Sequence, residues 1–345
     1  MTIQYASDLH LEFQENRAWL FEHGLQPVGD ILVLAGDIAY LGDRQLLHNE
    51  FFDRLSGNYE QVFIVPGNHE YYGGYELRDT LTNFELKVRD NVKYLNNKSV
   101  IIGDTELFFT TLWSKVPNAF IADIQNGMMD TRLICYKNAL LFAGEYNELH
   151  QICASWLKAA LESSTARHKV VVTHHCPTTR DAFNGYPGSR LNCGFMVDGD
   201  DFIAAHDIDA WIFGHTHYNG GSGTVIGGTP LLSNQLGYVR DGEQKGFNPQ
   251  AVIITKIMAD AAEERAKANQ PKPRSYEEVF TPEEAKRMGI GGRIDGPGDW
   301  KPDPNAAKNV REFIEKGGNA DPALDAIQDG DYHDLLDQNG GPEGF

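Results

Sequence analysis

Five short apolar runs, each stopping abruptly at a residue that can hold a metal ion, constrain this chain more than any other feature. Ile3-Gln4-Tyr5-Ala6-Ser7 leads into Asp8-Leu9-His10, Ile31-Leu32-Val33-Leu34-Ala35 into Gly36-Asp37, and Val62-Phe63-Ile64-Val65 into Pro66-Gly67-Asn68-His69-Glu70. Later, Val170-Val171-Val172-Thr173 leads into His174-His175-Cys176-Pro177, and Trp211-Ile212-Phe213 into Gly214-His215-Thr216-His217. Runs this short, rich in β-branched and aromatic residues, read as buried strands. Polar residues immediately after a buried strand sit on the loop at its carboxyl end, where open α/β sheets bind ligands. The pattern therefore predicts ligands gathered from distant positions onto one rim of a sheet.

Between these runs the expectations are as follows. Short helices are expected over Arg17–His23 and Asp43–Leu55, the latter from the spacing of Leu46, Leu47, Phe51 and Leu55. A helical pattern returns at Arg78–Val88, and 71–75, with Tyr71, Tyr72 and Tyr75, is an aromatic, glycine-rich loop. Val100–Ile102 and Leu107–Leu112 are strands around a Gly103-Asp104 turn. Val116–Asn138 is a long loop, Glu145–Leu161 an amphipathic helix, and Thr178–Met196 a loop of a length that usually carries function. Asp200–His206 is a short helix, 224–233 a hairpin, and Ala251–Ile257 a closing strand. Composition changes near Met258: mixed-charge helical stretches, then Gly- and Pro-rich and acidic sequence. Residues 1–258 therefore read as one domain and 259–345 as an accessory acidic extension of short helices, partly flexible unless docked.

A formal net charge of −19 over 345 residues argues against a general binder of nucleic-acid backbone, which needs Lys and Arg. It leaves room for a local positive site made by metal ions. The four cysteines form no CxxC pair and read as free thiols in a reducing compartment. The N-terminus lacks the charged and apolar regions of a signal peptide, and no run approaches the roughly 20 apolar residues of a membrane span. A cytoplasmic setting is expected.

Two adjacent divalent ions need a bridging carboxylate, several imidazoles and a neutral oxygen donor. Asp37 can bridge; Asp8, His10 and one later histidine can complete one ion; Asn68, His174 and another later histidine can complete the second. Two carboxylates against two divalent ions leave about +2, a surplus that attracts phosphate. Such a pair also lowers the pKa of bridging water towards neutrality and can hold both the attacking and the leaving oxygen of an in-line displacement. Taken singly, Asp8 and His10, Gly36-Asp37, or Asn68-His69 would more often be turns or caps. Their joint occurrence reverses that balance.

Together, in order, the blocks Asp8-x-His10, Gly36-Asp37, Gly67-Asn68-His69-Glu70, His174 and Gly214-His215-Thr216-His217 resemble the calcineurin-like metallophosphoesterases over most of residues 1–257. The resemblance implies an α/β fold, a four-layer α/β/β/α sandwich of two mixed sheets, with a dimetal centre at the sheet edges. It implies Asp8, His10, Asp37 and His217 as ligands of one ion, and Asp37, Asn68, His174 and His215 as ligands of the other. Manganese is the expected ion, with iron, zinc or nickel as alternatives for such donors. His69 is implied to touch phosphate or protonate the leaving oxygen. The implied activity is hydrolysis of phosphoric mono- or diesters, a metal-bridging hydroxide attacking phosphorus in line. Further blocks, Leu112-Trp113, Met129-Asp130-x-Arg132, Trp156-Leu157 and Asn234-x-x-Gly237-Tyr238, resemble a bacterial and phage branch of the family, where Asn usually stands at position 129. Candidate substrate contacts are Asn68, His69, His175 and Arg180, with Arg132 and Arg190 equally placed as phosphate contacts or solvated cations. Cys176 reads as a packed thiol. Small phosphoesters or phosphoproteins are the expected substrates, without nucleic acid or membrane partners. The competing expectation is a non-catalytic adaptor that keeps the fold and binds a protein through the extension; no ligand is missing, as degeneration would require.

Overall fold

Ile31, Val33 and Ala35 bury on one side of a strand and Leu32 and Leu34 on the other, so this run must be covered on both faces. That demand explains the architecture. The computed structural model describes residues 1–180 and 186–254, with the backbone of Gly292–Ile294 and Trp300–Pro302. In chain order the elements are β1 (Thr2–Ala6), α1 (Gln14–Glu22), β2 (Ile31–Leu34), α2 (Arg44–Leu47), α3 (Glu50–Asn58), β3 (Gln61–Ile64), β4 (Phe84–Arg89), β5 (Val92–Asn96), β6 (Lys98–Ile102) and β7 (Thr105–Thr110). There follow α4 (Ile121–Gly127), α5 (Asp130–Leu133), β8 (Cys135–Tyr136), β9 (Ala139–Leu140), α6 (Tyr146–Ser163), β10 (His168–Thr173), α7 (Asp200–Ala204), β11 (Ala210–Phe213), β12 (Val225–Ile226), β13 (Thr229–Ser233) and β14 (Val252–Ile254). Among the described residues no helix is long and apolar enough to cross a membrane.

Two six-stranded sheets share one plan, in the orders β14-β1-β2-β3-β5-β4 and β12-β13-β11-β10-β7-β6. In each, four inner strands run parallel and both edge strands run antiparallel. The core between the sheets is made by Ile3, Val33, Phe63 and Leu95 from the first against Leu107, Phe109, Val172 and Ile212 from the second. The outer face of the first sheet packs on Leu20 of α1 and Phe52 and Leu55 of α3. The outer face of the second packs on Leu157 and Leu161 of α6 and Ile203 of α7. These are the four layers and mixed sheets that the resemblance implied.

Local expectations meet several corrections. The helical pattern at Arg78–Val88 is instead a 3-10 turn, Leu77–Thr80, followed by β4, which pairs with β5 from Phe84↔Asn96 onward. Phe84, Leu86 and Val88 recur every second residue and pack on the same cluster, so their true period is that of a strand. The single helix expected over Asp43–Leu55 is two, because Asn49 caps a second start by accepting from the Phe51 N–H at 2.9 Å. The expected loop Val116–Asn138 contains α4 and α5. The chain divides into two units, Met1–Glu264 and Arg265–Phe345. In the second, β15 (Gly292–Ile294) and β16 (Trp300–Pro302) pair antiparallel. The short helices expected beyond Met258, the end of the strand beyond Ile254 and part of the 178–196 loop lie outside the described residues.

Candidate metal centre

The carboxyl ends of β1, β2 and β3 in one sheet and of β10 and β11 in the other open onto a common rim. Asp8 and His10 follow β1, Asp37 follows β2, Asn68 and His69 follow β3, His174 follows β10, and His215 and His217 follow β11. Backbone hydrogen bonds continue past the strands and hold these loops together: Asp8 N–H donates to Gly36 O and His10 N–H to Asp37 O, both at 2.9 Å. Across the sheets, Leu236 N–H donates to Ser7 O and Gly237 N–H to Asp8 O, both at 3.1 Å. Asn234 supports this seam by donating from its amide to the carbonyls of Tyr5 and Asn248.

Three glycines let the loops approach. A Cβ at Gly36 would lie 2.3 Å from His174 Nδ1, one at Gly67 would lie 2.1 Å from Asp37 Oδ1, and one at Gly214 would lie 2.6 Å from Asp8 Oδ2. Asp8 (φ 55°), His10 (φ 50°), Asp37 (φ 56°), His215 (φ 72°) and His217 (φ 49°) all adopt left-handed backbone. Strain of this kind persists only where the surroundings impose it, and it gathers at functional sites.

Ligand atoms of Asp8, His10, Asp37 and His217 form one close group, and those of Asp37, His174 and His215 form another. Asp37 belongs to both: its Oδ2 lies 3.9 Å from His10 Nε2 and its Oδ1 3.4 Å from His174 Nε2. In the first group His10 Nε2 and His217 Nε2 are 3.1 Å apart, and His217 Nε2 is 3.3 Å from Asp8 Oδ1. In the second, His174 Nε2 lies 3.0 Å from Asn68 Oδ1 and 3.1 Å from His215 Nδ1.

The outward nitrogens reveal what the inward ones need. His10 Nδ1 faces Glu12 Oε1 at 2.9 Å, His217 Nδ1 faces Glu243 Oε2 at 2.7 Å, and His174 Nδ1 faces the Ala35 carbonyl at 2.9 Å. All three must donate, which leaves Nε2 lone pairs converging on Asp8, Asp37 and Asn68. Lone pairs at about 3 Å, buried from water, require a positive charge between them. Carboxylate, imidazole and amide oxygen form the nitrogen–oxygen donor set that divalent transition ions take, so these residues fit two such ions. His215 Nε2, on the far side of its ring, is buried without a hydrogen-bond partner among the described residues.

Protonation follows the same logic in the metal-free protein. Burial alone would lower His174 and His217. Asp37 outweighs it and lifts His174 to about 9, while Asp8 and Glu243 lift His217 to about 10. Burial would raise Asp37, but His174 and His69 hold it well below the usual carboxylate range. A proton on His217 thus stands where a cation would.

Several participants had no role assigned from the sequence. Asp130 is buried and accepts from the Asn68 amide at 2.9 Å and from the hydroxyls of Tyr72 and Tyr146. This fixes the amide with its oxygen turned towards His174. Glu70 accepts from the backbone N–H groups of Asp37, Ile38, Ala39 and Gly67, tying two ligand loops together. Burial and the nearby Asp37 push its carboxyl up to about 8, while the Ile38 and Gly67 N–H groups and His174 favour the ionised form. Glu12 also reaches His69, whose Nδ1 lies 2.7 Å from the oxygen that faces His10.

A cavity of about 550 Å³ lies over the rim. Asp37, Asn68, His69, His215 and His217 reach it from below, and Phe13, Tyr40, Tyr72, Phe195 and Tyr238 supply aromatic walls. Its cationic side chain, Arg240, stands over the rings of Phe13 and Tyr238. Of the candidate substrate contacts, Asn68 and His69 line this cavity. His175 does not: it is fully buried beneath His215 and Trp113, with ring centroids 4.3 and 5.0 Å away. Arg180 is held by Asp200 at 2.7 Å and lies outside the lining, as do Arg132 and Arg190. Tyr71 is fully buried in the core, whereas Tyr72 stands at the cavity edge. All four cysteines are unpaired, and burial pushes Cys176 up to about 12.

Known proteins resemble this chain in sequence and in fold. An uncharacterized protein of Acanthamoeba polyphaga mimivirus is 29% identical over 286 residues, covering 75% of this chain and 98% of that protein. The crystal structure of phosphopantetheinyl hydrolase (PptH) from Mycobacterium tuberculosis matches with a TM-score of 0.58 at 18% identity, over 73% of this chain and 95% of that one. The family described as calcineurin-like phosphoesterase matches residues 1–219, a span that holds every strand end contributing a ligand to the rim. By that match, and by the two-sheet fold beneath it, the chain belongs to the calcineurin-like phosphoesterase family.

Proposed function

We propose that this protein is a dimetal-dependent hydrolase of phosphoric esters, acting on small phosphomonoesters or phosphodiesters or on phosphoproteins. The observation that carries this most is Asp37, one buried carboxylate with an oxygen turned to each of two ligand groups. Asp8, His10, Asp37 and His217 would hold one ion; Asp37, Asn68, His174 and His215 would hold the other. When bound, two divalent ions neutralise phosphate charge and make water more acidic. Manganese is the ion to supply first; iron, zinc and nickel suit the same donors.

The protein's own groups do the rest. Asn68 and His69 line the cavity floor where a phosphoryl group would lie. His69 turns Nε2 towards the cavity, 3.2 Å from the Tyr238 hydroxyl, and protonates the departing oxygen. The aromatic walls exclude water around that transfer and receive the organic part of a small ester. Residues 1–258 are the phosphoesterase domain and 259–345 an accessory extension. Unpaired thiols suit a cytoplasmic setting.

The test is turnover of p-nitrophenyl phosphate and bis-p-nitrophenyl phosphate with manganese supplied. Metal-dependent release is expected from the wild type, and Asp37→Ala should reduce it to background. A rate retained in Asp37→Ala, with no dependence on added metal, would overturn the proposal. The ratio of the two substrates assigns monoester or diester preference.

A further inference from the structure

We infer that Glu12 is the positioning residue for the proton donor His69: one oxygen of its buried carboxylate fixes the Nδ1–H groups of His10 and His69 together, so that His69 presents Nε2 to the leaving group. This rests on the phosphoesterase reading above.

Glu12 Oε1 lies 2.9 Å from His10 Nδ1 and 2.7 Å from His69 Nδ1, and the side chain is only 5% exposed. An ionised carboxylate only accepts, so both ring nitrogens facing it must carry hydrogen. The ring of His69 is also confined sideways, with its centroid 4.5 Å from that of His10 and 4.3 Å from that of Tyr72. Nδ1 being committed, the nitrogen left to act is Nε2, which points at the cavity beside Tyr238.

In the reaction, water oxygen bonds to phosphorus as the ester P–O bond breaks. The bonding pair stays on the leaving oxygen; His69, entering as the imidazolium with hydrogen on both nitrogens, gives its Nε2 proton to that oxygen and keeps Nδ1–H on Glu12, and the proton released by water restores the imidazolium. Without that partner the imidazole would carry its remaining hydrogen on either nitrogen and rotate; Glu12 removes that freedom. Because the same oxygen holds His10, one carboxylate ties the geometry of the proton donor to that of the first ligand group.

Leaving groups separate this role from a merely structural one. p-Nitrophenolate departs with little help, whereas phenolate and alkoxides need a proton. In full-length protein at saturating manganese, Glu12→Gln should lose only a few-fold in kcat on p-nitrophenyl esters and about 100-fold or more on phenyl or ethyl esters. His69→Ala should show the same dependence, and the double variant should be no worse than His69→Ala. Apart from activity, nitrogen–proton correlation spectra of the His69 ring should show Nδ1–H in the wild type and a redistribution in Glu12→Gln. Glu12→Asp, which withdraws the acceptor but keeps the charge, gives the same comparison if Glu12→Gln fails to fold. Equal losses on every leaving group, additive losses in the double variant, or a wild-type His69 hydrogen on Nε2 alone would overturn the inference. A wild type that hydrolyses no ester would overturn the phosphoesterase reading instead, while the His69 spectrum would still report on Glu12.

Discussion

Asp130 illustrates how one side chain away from the candidate ligands can decide whether the rim would hold ions. It holds the Asn68 amide and two tyrosine hydroxyls, one of them the fully buried Tyr146. Asp130→Ala strands these donors at a cost on the order of 3 kcal/mol. It also frees the amide to turn, which should weaken one of two ions about 10–100-fold; urea denaturation and elemental analysis at limiting manganese check the two effects separately. Protons compete at the same rim. His174 and His217 bind theirs more tightly folded than unfolded, so their contribution to stability is complete below about pH 6.5. It disappears as pH rises through about 9 and about 10. Metal binding must displace those protons, so titration calorimetry with manganese should show weaker apparent affinity and greater proton release at pH 6.5 than at pH 8.5. At this scale the gathering of the candidate ligands was legible, because Asp8, Asp37, Asn68, His174 and His215 each come within three residues of the end of a run that reads as a strand. The roles of Glu12, Asp130 and Glu243 were not. Asp130 lies 62 residues from Asn68, and Glu243 lies 26 from His217, so only folding shows which acid serves which ligand.

Among elements, the strand-to-loop junctions matter more than the strands. Gly67 connects β3 to Asn68, and the space its missing Cβ leaves is taken by Asp37 Oδ1 and His174. Gly67→Ala should therefore bind at least one ion poorly and lose most turnover while the two sheets remain folded; far-ultraviolet circular dichroism alongside metal stoichiometry would show the separation. Strands with both faces buried were readable from composition, as β2, β3, β10 and β11 show. β4 was misread because charged residues between Phe84, Leu86 and Val88 suit a helix surface as well as an edge strand, and only pairing with β5 decides between them. The 43–55 segment was misread because a cap at Asn49 interrupts a spacing that otherwise looks continuous.

For the whole molecule, two sheets of the same plan meet so that neither alone carries a complete ligand group: the first supplies Asp8, His10, Asp37 and Asn68, the second His174, His215 and His217. Apolar contacts between the sheets thus set the spacing of the rim. A net charge of −19 leaves the region around any bound ions as the natural place for an anionic ester. The left-handed backbone at Asp8, His10, Asp37, His215 and His217 has a cost of its own, on the order of 1 kcal/mol at each non-glycine residue. At His215, whose Nε2 is buried without a hydrogen-bond partner among the described residues, variants selected purely for surviving heat should consequently drift to glycine, growing hardier as they forget their chemistry. A saturation library scored in parallel for residual solubility after heating and for ester cleavage should show the two scores opposed at His215 and falling together at Asp8 and Asp37, whose loss strands the buried N–H groups of His215 and His69.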